Sequence, residues 1–150
     1  MDGKTTETLT NILKSTRPEH MGEFLREHGR EMRHGDLVAH MNACLTVKGI
    51  KKRELFIQIG VSEGYGYKLL SGEKAMPNAD TLLRFCIGMG MGLDDTQKAL
   101  ELAGFARLYA REKRDAVLIN ALATGECDVY AVNERLEGMG LAQLKECTRE

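Results

Sequence analysis

Apolar residues recur at helical spacing along most of this chain, in short runs closed by glycine. The strongest run follows Asp36. Leu37, Met41, Cys44 and Leu45 fall at i, i+4, i+7 and i+8, one stripe of an amphipathic helix. Asp36 is the expected N-cap and Gly49 the stop. "KKRELFIQIG" predicts a second short helix with Leu55, Phe56 and Ile59 inward and Gly60 at its end. "VSEGYGYKLLSG" follows a tight turn. "MPNADTLLRFCIGMG" predicts a helix started by Pro77 and Asn78, carrying Leu82, Leu83, Phe85, Cys86 and Ile87. "LDDTQKALELAG", ended by Gly104, predicts the next.

The pattern is thinner at the start. Residues 5 to 34 read as two short helices, broken at Pro18. Thr6 or Thr8 is the expected cap of the first, which carries Leu9, Ile12 and Leu13. The second carries Met21, Phe24, Leu25 and Met32. So little apolar surface predicts an arm that leans on the rest of the protein or on a partner. Towards the other end, "EKRDAVLINALATG" and "CDVYAVNERLEGMG" each predict about three helical turns ended by glycine. Asp115 and Asp128 stand near the helix starts, where a negative charge suits the dipole. Phe105 and Tyr109 are expected to anchor this part. Tyr130, Val132 and Leu136 are expected to join them or to meet a partner, and part of "DAVLINAL" is a possible dimer seam.

No stretch alternates as a strand would, so the expected fold is all-α. One hundred and fifty residues suit one domain with appendages. The expected division is an N-terminal arm over 1–35, a central unit over 36–104 and a helical extension over 105–150 packed on it.

Charge changes the picture locally. The whole chain carries −1, yet between Lys48 and Lys74 six basic residues face three acidic ones. That mild positive excess suits a polyanion. A second basic group, Arg107, Arg111, Lys113 and Arg114, has Glu112 and Asp115 among it and reads as a solvated helix start or a backbone contact to nucleic acid.

Other chemistry is sparse. Cys44, Cys86, Cys127 and Cys147 are too far apart for a zinc or redox motif and read as small apolar residues in a reducing compartment. His20, His28, His34 and His40 lack the i, i+4 spacing of a metal pair. "GMGMG" at 88–92 lacks the third glycine and the preceding strand of a dinucleotide fingerprint and reads as a helix end, with Met89 and Met91 filling the core. Neither a nucleophile elbow nor a phosphate-cradling loop is present. The expectation is a non-enzyme without metal or cofactor. No run reaches membrane-spanning length and "MDGKTTETL" is too polar for a signal peptide, so a soluble, cytoplasmic protein is expected.

Residues 36 to 103 resemble the Cro/C1-type (XRE-like) helix-turn-helix family. The resemblance rests on spaced landmarks: Gly60-Val61-Ser62 at the turn, Ser71-Gly72 after the recognition segment, Pro77 at the next helix, and Met91-Gly92 closing it. With the flanking "AGFARLYAREKRDAVLINAL" nearly the whole chain is similar to small bacterial proteins of this kind. The turn has a physical logic of its own. Gly60 permits a steep crossing. Ser62 caps the following helix and leaves its positive end outward.

The resemblance implies a five-helix core and a transcriptional regulator that reads duplex DNA. Base-facing positions would be Ser62, Glu63, Gly64, Tyr67 and Lys68. Phosphate-facing positions would be Lys51, Lys52, Tyr65, Ser71 and Lys74. A homodimer on paired half-sites is also implied.

Several residues depart from the family pattern. Gly64 offers no reading side chain, and Glu63 repels phosphate. Lys51 is a poor cap, and Leu70 stands where a polar residue is usual. Gly66 replaces a buried aliphatic residue, either to let a neighbour pack close or to let the helix adjust on DNA. The alternative function is therefore a protein-interaction module that keeps the scaffold without reading DNA. It would use Tyr67 and Leu70, or the C-terminal helices.

Overall fold

The computed structural model of this chain describes residues 6–28 and 33–147. The expected contribution of Met32 lies outside them. Among the described residues all regular structure is helical: nine α-helices, one 3-10 turn and no strand. The arm holds α1 (Thr6–Ser15), a 3-10 turn at Pro18–His20 and α2 (Met21–Glu27). Thr6 and Thr8 lie inside the first turns of α1, not ahead of it as expected. In α2, Phe24 is buried and its ring meets that of His28.

Then come α3 (Arg33–Lys48), α4 (Lys52–Ile59), α5 (Glu63–Ser71), α6 (Ala79–Gly88) and α7 (Leu93–Leu102). Asp36 sits in the first turn of α3 and is not its cap. The helix starts earlier because Arg33 to Gly35 already take helical geometry. Gly49, Gly60, Gly72 and Gly104 all take positive φ after helix ends, the left-handed stop that glycine accepts most readily.

The hub is α6. Every residue from Asp80 to Ile87 is buried, and the helix packs against α4, α7 and α9 (Val129–Gly138). A helix apolar nearly all round must lie inside. Asn78 starts it, its Oδ1 accepting from the Thr81 amide at 2.8 Å. Gly88 makes the crossing with α4 possible, since a Cβ there would collide with Ile59 Cγ2 and Leu55 Cδ1.

One cluster of buried side chains runs from Leu37 to Leu144, and it includes Leu118 and Leu122 of α8 (Lys113–Ala123) and Val132 and Leu136 of α9. Burying each large aliphatic or aromatic side chain contributes roughly 1.5–3 kcal/mol. Phe105 packs against this cluster. Tyr109 does not serve as the expected anchor and is 56% exposed. Its segment is pinned instead by buried Gln97, whose amide group donates to and accepts from the backbone of Leu108. In α9, Val132 and Leu136 point inward while Tyr130 stays exposed.

After α9 the chain turns at Gly140 and runs back as an irregular strap, residues 141–147. Leu144 plugs the core. No helix among the described residues is long and apolar enough to cross a membrane.

Candidate functional site

The mildly basic stretch folds into α4, a tight turn and α5. The α4 helix has no side-chain cap, since Lys51 supplies none. It ends at Gly60, which takes φ 77°. Val61 is buried at the crossing. Ser62 then caps α5, its Oγ accepting from the Tyr65 amide at 3.4 Å. At the far end, Asn42 of α3 donates to the carbonyl of Leu70 at 2.9 Å. The short helix is therefore held at both termini by side-chain hydrogen bonds.

Tyr65, Gly66, Leu69 and Leu70 form its buried face. Gly66 is there for contact: a Cβ at this position would lie 2.6 Å from two ring atoms of Phe56. Of the two expectations for Gly66, the close-packing one matches this geometry, with α4 as the neighbour. Two other expectations are corrected. Tyr65, expected to face phosphate, belongs to the core. Leu70, expected to offer an exposed apolar contact, is 1% exposed, because α5 wedges between α3 and α4 and buries a wide arc.

The outward face carries Glu63, Gly64, Tyr67 and Ser71, with Ser62 and Lys68 half-buried. Nothing lies within 4 Å of a Cβ built at Gly64, so the first turn of α5 opens to solvent. Tyr67 stands with its ring edge-on to Phe56 and 43% exposed. Ser71 uses its hydroxyl locally, donating to Lys68 O and accepting from Glu73 N, both at 3.2 Å. The Lys74 amide also donates to Lys68 O. Lys51 is exposed and Lys52 half-buried at the start of α4.

Arg53, not among the expected site residues, reaches Glu63 at 3.8 Å. With both side chains more than half exposed, this pair contributes little stability. It does bridge the first turn of α4 to that of α5 and offsets the acidic charge there. The local charge count included Arg53; only the pairing across the turn was not readable from spacing.

In the second basic group Arg107, Arg111 and Lys113 are exposed, while Arg114 is half-buried and held. It pairs with Asp80 through two bonds, at 2.9 and 3.3 Å, and donates to the carbonyls of Ala142 and Gln143. Cys86 is fully enclosed, and burial pushes its thiol up to about 12. Burial also raises the thiols of Cys44 and Cys147. None of these three is a poised nucleophile. Among the described residues no group of three or more His, Cys, Asp or Glu side chains is placed to hold a metal ion.

Comparison with protein-family models, with curated proteins and with solved structures finds no match to this chain.

Proposed function

We propose that this chain is a Cro/C1-type helix-turn-helix protein that binds duplex DNA and regulates transcription. In this reading α3 to α7 are the five-helix core, and the amino end of α5 enters the major groove. Glu63, Gly64, Tyr67 and Lys68 then face bases, together with the Ser62 cap. Lys51, Lys52 and Lys74 face phosphates on either side, and Ser71 does so only by giving up a local bond. Two copies would read paired half-sites.

The observation that carries this reading is the state of the first turn of α5. That turn is capped by Ser62 and unobstructed at Gly64, and the helix is braced at its other end by Asn42. A helix terminus so presented offers free amides and a positive dipole end to an anionic groove. The alternative, a protein-contact module, keeps Tyr67 as its exposed aromatic but loses Leu70 to the core.

Binding to a random pool of duplex DNA, measured by fluorescence anisotropy over a range of salt, tests the proposal. Affinity is expected to fall steeply with salt. Replacing Lys51, Lys52 and Lys68 together by Ala is expected to weaken binding and to reduce the salt slope by about two, for the two phosphate contacts removed. Equal binding by that variant and the parent would overturn the DNA reading.

A further inference from the structure

The turn between α4 and α5 is not held by its own two helices alone. The last carbonyls of a helix lack intrahelical partners. At the end of α4 the buried Ile59 carbonyl accepts from Arg84 Nη1 at 2.9 Å. Arg84 lies in the middle of α6 and is 4% exposed. Its remaining donors do not turn to solvent. Nε donates to Lys145 O at 2.7 Å and Nη2 to Leu144 O at 3.1 Å. One rigid planar group therefore spans the turn on one side and the C-terminal strap on the other.

The strap is fixed in its own right. The Lys145 amide donates to Asp80 Oδ2 at 2.9 Å, and the Leu144 amide to Asn133 Oδ1 at 2.7 Å. Asp80 in turn holds Arg114. From α9, the Tyr130 hydroxyl lies 3.3 Å from where a Cβ on Gly60 would stand, with Arg84 Nη1 at 3.7 Å. The turn is thus roofed by elements from the far end of the chain.

We propose that Arg84 is a positioning residue for the α4–α5 turn, and that the docked strap sets how firmly α5 presents its amino end. When the strap leaves, Arg84 loses two of three carbonyl acceptors, and the guanidinium is no longer held against Ile59. The α4–α5 turn then loosens while the α3–α7 pairing stays intact. The consequence for DNA rests on the function proposed above. The mechanical coupling does not.

The test uses the full chain and two variants outside α4 and α5. Leu144→Asp expels the strap, and Asp80→Asn loosens it more gently should the first not fold. Amide hydrogen exchange is read at Gly60 and Val61, whose amides both donate to Phe56 O, with Met41 and Leu100 as references for global stability. Exchange at the turn is expected to rise about tenfold beyond any change at the references. Arg84→Lys is expected to do the same, since an ammonium group cannot replace the planar fork. If Leu144 and Lys145 exchange freely while the turn keeps parental rates, or if Arg84→Lys behaves as the parent, the coupling is overturned.

In the DNA assay the strap variants are expected to bind more weakly with an unchanged salt slope, because the same phosphate contacts remain. A parent that binds no duplex would sink the proposed function, and the exchange data alone would then decide the coupling.

Discussion

Gly64 and Gly66 sit two positions apart on one short helix, yet they answer to different forces. At Gly64 an added methyl meets nothing, so Gly64→Ala should recover helix propensity and stabilise the protein by up to about 1 kcal/mol. At Gly66 the same gain is opposed by a collision with Phe56. That ring is 1% exposed and fixed by edge contacts with Tyr67 and Phe85, so it has no free space to swing into. Overpacking of this kind typically costs about 1–3 kcal/mol, which outweighs the propensity gain. Urea denaturation of the two variants should therefore give midpoint shifts of opposite sign. Shifts of the same sign would mean that packing at Phe56 does not decide the outcome.

Helix by helix, much of the architecture could be read from the chain, because it is written in short-range signals. Glycines with positive φ close the predicted helices, and Ser62, Asn78 and Asp128 are caps with observed hydrogen bonds. The misreadings arose where tertiary packing sets the answer. Tyr67 and Leu70 are spaced as neighbours on one face, but the border of the buried arc falls between them. At 100° per residue, the four buried positions of α5 span about 140°. A helix wedged between two others needs that wide an arc.

Arg84 does leave a mark in the sequence: an arginine inside the run "LLRFCIG" has no polar face to occupy and must find buried acceptors. The carbonyls it found lie on segments remote in sequence, which no local pattern reveals. The caps also differ in strength. The Asn78 bond is 2.8 Å and the Ser62 bond 3.4 Å. Asn78→Ala should therefore cost about 1–2 kcal/mol and Ser62→Ala about 0.5 kcal/mol, as read by chemical denaturation. The reverse order would show that cap geometry does not rank these helix starts.

For the molecule as a whole, the decisive feature is that α8 and the strap are tied to α6 by charge as well as by apolar contact. Asp80 and Arg114 form a two-bonded pair whose side chains are 12% and 27% exposed. Breaking a mostly buried pair from one side strands the other charge. Arg114→Ala leaves the Asp80 carboxylate enclosed with the Lys145 amide among its remaining partners, and should cost about 2–4 kcal/mol, somewhat below the range for a fully buried pair. Asp80→Ala leaves a guanidinium that still reaches water and two carbonyls, so its cost should be smaller, about 1–2 kcal/mol. Removing both strands neither. The double variant should thus be destabilised by less than the sum, with a coupling of about 1–2 kcal/mol in a double-mutant cycle. The cycle separates two ways of holding the strap. Strong coupling means that the ion pair anchors it, and full additivity would mean that Leu144 in the core suffices and the pair is incidental. Only in the first case does a single charge on α6 link α8 to the strap.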